Sequence, residues 1–172
     1  MPLIEESNLY DYIRKWSCQL ANKGVQICGY VIMPNHIHLL VYITGSCRGL
    51  NYEIGEAKRF MIYEVVKRLK VLKKETILKT LSEAVSPGER RQGKQHHVFK
   101  KSFDAKEIEG EKGINRVLEY MHVNPVNGVW SLVDDYRDYP YSSVGFYLNE
   151  VKFEIPVWDY RKVGEVHITD KK

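Results

Sequence analysis

The chain has 172 residues and carries 26 Lys and Arg against 22 Asp and Glu, a net charge of +4 with a pI near 8.8. That length suits one domain with its own core, and the three cysteines (Cys18, Cys28, Cys47), an odd number without a secretory leader, point away from a disulfide framework and toward a reducing, cytoplasmic setting. A hydrophobic fraction of 44% with 12 tyrosines excludes a disordered chain, and the most apolar stretch, residues 25–43, is too interrupted by Pro34, Asn35, His36 and His38 to span a membrane.

Residues 7–22 read as an amphipathic helix, with Leu9, Tyr12, Ile13, Trp16 and Leu20 on one face and Gly24 as its stop. Two β-rich runs follow, residues 25–33 and 36–44, joined by a tight turn at Pro34-Asn35. In the second run Ile37, Leu39, Val41 and Ile43 face one way, and His36, His38, Leu40 and Tyr42 the other. A helix is expected from about Ile54 to Lys73, with Ala57, Met61, Val65, Leu69 and Leu72 as its apolar stripe, extended or followed by a second helix over residues 76–84. Residues 86–94 read as a flexible basic loop and residues 96–99 as a short strand. A helix from Glu109 or Lys112 to Val123 stops before Pro125. Residues 136–147 read as a packed tyrosine-rich loop entering a short helix, and a polar tail contains an edge-strand candidate at residues 153–157. The expected organisation is one domain over residues 1–150 with a tail over residues 151–172. Its class is α+β: helices on one face of an antiparallel, ferredoxin-like sheet.

The modest net charge hides an asymmetry. Residues 58–101 hold 13 basic and 4 acidic side chains, a balance of +9, while the remainder of the chain is −5. Such a segment is either a solvated helix face or a polyanion-binding surface.

His36 and His38 share one face of a strand, close enough to hold a divalent cation together, but two imidazoles hold a metal poorly without a third ligand. In the helix ending at Val123, Ile114, Val117, Leu118 and Met121 form the core stripe; Tyr120 and Asn124 lie together on one flank and His122 on the other. Without a cysteine cluster there is no case for structural zinc.

The segment Tyr30-Val-Ile-Met-Pro-Asn-His-Ile-His-Leu-Leu-Val41 resembles the signature of the single-tyrosine HUH transposases, specifically their REP-associated and insertion-sequence group. A second block agrees: Leu118-Glu-Tyr-Met-His-Val-Asn-Pro-Val126, then Gly128, then Tyr139-Pro-Tyr-Ser-Ser-Val-Gly-Phe-Tyr147. The resemblance implies that His36, His38 and Asn124 hold Mg²⁺ or Mn²⁺ and that Tyr120 is the nucleophile. It further implies cleavage and rejoining of single-stranded, hairpin-associated DNA through a 5′-phosphotyrosine. A phenol is a poor nucleophile near neutrality, so such a reaction depends on phosphate polarisation and alignment. Lys58, Arg59, Lys67, Arg68, Arg90, Arg91, Lys94, Lys100 and Lys101 would track the DNA backbone, with His96 and His97 as further contacts. On this reading the basic segment lies between the histidine pair and the Tyr120 helix, where a DNA strand would run.

Two features depart from the family pattern. Asn127 stands where the family often has Arg, and the chain begins where the family's first helix is about to start, without the usual first strand. The vacant sheet edge is expected to be filled by another segment or by a partner chain in a homodimer. The rival readings are an inactive DNA-binding relative and a metal-dependent phosphoesterase that uses the histidine pair and a water.

Overall fold

A hairpin forms the centre of the molecule. In the computed structural model, which describes residues 1–100, 103–127, 130–148 and 155–162, β1 (Val25–Ile32) pairs antiparallel with β2 (Ile37–Ile43). Pro34 and Asn35 turn the chain, and the turn closes with Met33 N–H donating to the His36 carbonyl at 2.8 Å. The expected strands and turn are present. The register slips between Ile27 and Gly29, a bulge that resets which side chains share a face. Val25, Ile27, Tyr30 and Ile32 join one core cluster, whereas Cys28, Val31 and Met33 join another.

Both faces of the hairpin are covered, which corrects the expectation of helices on one face only. Against the first face pack α2 (Tyr10–Leu20) and α3 (Leu50–Val71), through Ile13, Leu20, Ala57, Met61, Val65 and Leu69, meeting Ile37, Leu39 and Val41 of β2. Against the second packs α6 (Gly110–Val123), through Leu118 and Met121, meeting Leu40 and Tyr42. The physical reason lies in β1, which is buried at every position but Gln26; a strand apolar on both sides needs a layer on each. The closest approach is at Gly29, where a Cβ would stand 2.4 Å from Cδ2 of Leu118.

The described residues form a two-stranded sheet, and two strands do not by themselves make a ferredoxin-like one. The second edge of β1 is nevertheless occupied. Ile32 N–H donates to the Tyr141 carbonyl and Ser143 N–H to that of Tyr30, both at 2.9 Å, and Val31 forms a β-bridge with Ser142. Ser143 Oγ accepts from Tyr30 N–H at 2.9 Å, and the hydroxyls of Tyr139 and Tyr147 donate to the carbonyls of Ile32 and Cys28. Trp158 N–H donates to the Ile27 carbonyl at 2.7 Å. This edge of β1 is thus satisfied by the tyrosine-serine segment and Trp158, since a buried strand cannot leave its polar groups unpaired.

Other differences are local. The first helical region is broken: α1 (Leu3–Glu6) is separate, Asn8 turns with φ 47°, and α2 begins at Tyr10. Leu72 lies beyond the end of α3 and is exposed rather than part of its stripe. The second helix forms as α4 (Glu75–Glu83). The expected flexible loop is partly helical, as α5 (Pro87–Arg91). Ser86 Oγ accepts from Glu89 N–H while the Glu89 carboxylate accepts from Ser86 N–H, a reciprocal cap that outweighs the adjacent Pro and Gly. Residues 96–99 are not a strand: His97 N–H donates to the Leu81 carbonyl and Val98 is buried, so the segment finds its partner at the end of α4. Of the edge-strand candidate, residues 153 and 154 lie outside the described residues; Ile155 is buried and residues 155–157 are not a strand. The tyrosine-rich segment enters a short helix as expected, α7 (Val144–Tyr147). All three cysteines are free, and no helix among the described residues is long and apolar enough to cross a membrane.

Candidate metal and nucleophile site

The period of two in β2 and its register with β1 place His38 opposite Val31, on the face that α6 covers. His36 precedes it at the mouth of the turn. Their Nε2 atoms face one another at 2.9 Å, with ring centroids 4.7 Å apart and planes at 85°. Asn35 Oδ1 lies 2.6 Å from His36 Nδ1. A carboxamide oxygen only accepts, so Nδ1 of His36 carries its proton and Nε2 keeps its lone pair, directed at His38. Burial pushes the pKa of both imidazoles below the ordinary value, and the charge of His36 adds to the effect on His38. Near neutrality both rings are therefore uncharged, the form in which imidazole binds metal.

At 2.9 Å the two Nε2 atoms are at hydrogen-bond distance, so with Nε2 of His36 accepting, Nε2 of His38 is the donor. A shift of that proton to Nδ1 of His38 would present both lone pairs to a divalent cation. Among the described residues no group of three or more His, Cys, Asp or Glu is placed to hold a metal.

Tyr120 comes to this pair from α6. Its ring stands edge-on to His38, with centroids 5.9 Å apart at 82°, while 61% of the residue remains exposed. The packing of Leu118 and Met121 against β1 and Leu40 fixes the rotation of α6 and so sends Tyr120 to the solvent side of the histidines. Asn124 lies one turn on and donates from Nδ2 to the Tyr120 carbonyl at 2.8 Å, which ties its side chain to the same corner. His122 is elsewhere. It is buried beside Tyr147, its Nε2 is 2.9 Å from Ser143 Oγ, and burial lowers its pKa to about 4. The structure therefore brings together His36, His38 and Tyr120, with Asn124 adjoining the tyrosine. Asn35 is the site residue that sequence reasoning took only as a turn former; its signal was an amide acceptor immediately before the first histidine.

The basic residues are placed differently from expectation. Because α3 packs on the face of the hairpin away from α6, its charges do not lie between the histidine pair and Tyr120. Arg68 is committed to the fold: it binds both oxygens of Asp11 and also Glu64. Lys94 pairs with Glu89 at 2.8 Å, and Arg90 donates to the Ser82 carbonyl at 2.7 Å. Lys58 donates to the Lys100 carbonyl and lies 5.5 Å from the Phe103 ring centroid. Arg59 pairs with Glu56 at 2.9 Å, Lys67 lies 3.6 Å from Glu64, and Arg91 and Lys100 are exposed. His96 and His97 are half-buried beside α4, and His97 Nδ1 is 3.2 Å from Lys94 Nζ. Lys101 and Gly128 lie outside the described residues.

Comparison with protein-family models, with curated proteins and with solved structures finds no match, so the functional reading rests on the residues themselves.

Proposed function

We propose that the chain is a metal-dependent DNA strand-transfer enzyme of the single-tyrosine HUH transposase kind, acting on single-stranded, hairpin-associated DNA. The observation that carries this reading is the meeting of Tyr120 with His38 across the β2–α6 interface, from two segments distant in sequence. An exposed phenol beside His38, itself facing His36, suits phosphoryl transfer to tyrosine. The ferredoxin-like plan belongs to the same proposal, with residues 139–147 taking the edge of the family's first strand.

In the reaction, Tyr120 Oη bonds to a phosphorus of the strand as the bond from phosphorus to the 3′ oxygen breaks. The phenolic proton leaves to solvent and the departing 3′ oxygen takes one up, giving a 5′-phosphotyrosine and a free 3′-hydroxyl. Conservation of the phosphoester lets the reverse step join a second 3′-hydroxyl without a nucleotide cofactor. His36 and His38 would hold Mg²⁺ or Mn²⁺, with Asn124, which adjoins Tyr120, as the third ligand the resemblance implies. That cation would stabilise charge on the phosphoryl oxygens. Asn35 holds the proton of His36 on Nδ1 and so leaves the lone pair on Nε2, and Leu118 and Met121 hold Tyr120 beside the pair.

The test is covalent capture. Wild-type protein with Mg²⁺ or Mn²⁺ and single-stranded hairpin DNA is expected to form a denaturant-resistant adduct at the 5′ phosphate of the downstream fragment, the upstream fragment leaving with a free 3′-hydroxyl, and Tyr120→Phe to form none. Cleavage retained in Tyr120→Phe would make the protein a phosphoesterase using water instead. Salt-sensitive binding without any cleavage would make it an inactive relative.

A further inference from the structure

The outward face of α3 carries three large aromatic side chains in water: Tyr52, Phe60 and Tyr63 are 47%, 49% and 67% exposed. At 100° per residue, Tyr52, Arg59, Phe60, Tyr63, Lys67 and Lys70 fall within about 100° of one another, opposite the buried Ala57, Met61 and Val65. Burial gives no reason for aromatic residues here, since the helix is anchored by its other face. The rings are interleaved with cations: the Arg59 guanidinium lies 4.7 Å from the Phe60 ring centroid and that of Arg48 5.0 Å from Tyr52. The one acidic residue in the stripe, Glu56, is paired with Arg59, and Lys67 reaches to Glu64 beyond the stripe's edge at 3.6 Å, so that within the stripe Arg59, Lys67 and Lys70 outnumber the single carboxylate.

We infer that this face is a platform for single-stranded nucleic acid, with unpaired bases stacking on Tyr52, Phe60 and Tyr63 and phosphates meeting Arg59, Lys67 and Lys70. Each half of the surface argues for that occupant. Solvent-exposed rings suit bases that are not already stacked in a duplex, and the cations suit a polyanion. A second copy of the same positive stripe would be repelled by it. The inference rests on the nucleic-acid part of the function proposed above, and adds a surface on the opposite face of the hairpin from Tyr120. A strand held here would be gripped without occupying the cleavage site.

The experiment uses the full chain carrying Tyr120→Phe, in EDTA, with a fluorescein-labelled 15-nucleotide oligo-dT, an abasic strand of equal length and a blunt duplex. Phe60→Ser/Tyr63→Ser is expected to weaken oligo-dT binding by roughly ten-fold or more, since stacking on one ring is worth about a ten-fold factor. The same change is expected to leave the weaker binding of the abasic strand unaltered. Photocrosslinking of a 5-iodouracil strand is expected to label α3. Unchanged oligo-dT affinity, equal affinity for the duplex, or crosslinks confined to α6 and β2 would overturn the inference. So would a loss of self-association in the variant without loss of DNA affinity, which would make the face a contact between copies. The two proposals fail separately. Lost affinity in the stripe variant with no covalent adduct from the wild type keeps the platform and removes the cleavage reading; an adduct with unaltered stripe affinity does the reverse.

Discussion

Asn35 Oδ1 accepts a hydrogen bond from Nδ1 of His36 at 2.6 Å and thereby determines which nitrogen of that ring faces His38. Partners that orient a metal-binding imidazole are typically worth 10- to 100-fold in metal affinity. Asn35→Ala is therefore expected to weaken Mn²⁺ binding, read by calorimetry, by about that factor, while Asn35→Asp, which keeps an acceptor, retains most of it. In the metal-free protein, ¹⁵N spectra of His36 should change from one Nδ1–H tautomer to a mixture in Asn35→Ala. Unaltered Mn²⁺ affinity and ¹⁵N shifts would show that the amide plays no orienting role.

His122 links stability to pH. Its imidazole is buried, and its pKa falls from 6.5 to about 4 in the folded protein. Between those values the unfolded chain binds a proton that the folded chain does not, so stability is complete above pH 6.5 and declines as the pH falls toward 4. The loss from this group amounts to about 3 kcal/mol, and His36, His38 and His96 shift in the same direction. Urea midpoints measured from pH 7.5 to 4 are expected to fall by less in His122→Gln than in the wild type. Identical slopes would place the pH dependence elsewhere.

The parts of the fold that were legible in the sequence depend on short-range periodicity. Alternation along residues 36–44 separated Ile37, Leu39, Val41 and Ile43 from His36, His38, Leu40 and Tyr42; Ile37, Leu39 and Val41 join one core cluster and Leu40 and Tyr42 the other, while Ile43 is exposed at the end of the strand. The 3.6-residue period likewise put Tyr120 and Asn124 on one flank of α6 and His122 away from them. What escaped was set by contacts distant in sequence. The bulge at Ile27–Gly29 reverses the facing of β1 and leaves no mark in a continuous apolar run. Tyr139, Ser143 and Tyr147, which the resemblance placed only as motif residues, bond to the open edge of β1. The net positive charge of residues 58–101 gave no warning that Asp11 and Glu64 would neutralise Arg68, or that α3 would lie on the far face.

Gly29 sets the depth at which α6 sits on the hairpin. A methyl group there would stand 2.4 Å from Leu118 Cδ2, forcing a buried side chain or the helix to move. Gly29→Ala is expected to destabilise by about 1–3 kcal/mol in urea. Adding Leu118→Ala makes room for the methyl group, so the double variant should be more stable than the sum of the single changes allows. Strict additivity would mean that the two positions do not meet.

Arg68 separates structure from nucleic-acid contact within the basic segment. It joins α2 to α3 through Asp11, with Glu64 as a second acceptor on its own helix. Arg68→Ala is expected to cost about 1–2 kcal/mol of stability, more than an exposed pair because several charged groups lose a partner. It should leave oligonucleotide affinity within two-fold. A large loss of affinity with intact stability would return Arg68 to the nucleic-acid surface.

We propose that Tyr120, held beside His38 and its partner His36, becomes joined to DNA. It is tested most directly by incubating the protein with 5′-tailed single-stranded hairpin DNA and Mn²⁺, then sequencing any denaturant-resistant protein–DNA adduct by mass spectrometry. The expected result is a phosphodiester on Tyr120 that disappears in Tyr120→Phe and in His36→Ala/His38→Ala. Cleavage that leaves no adduct, or an adduct on a different residue, would contradict it.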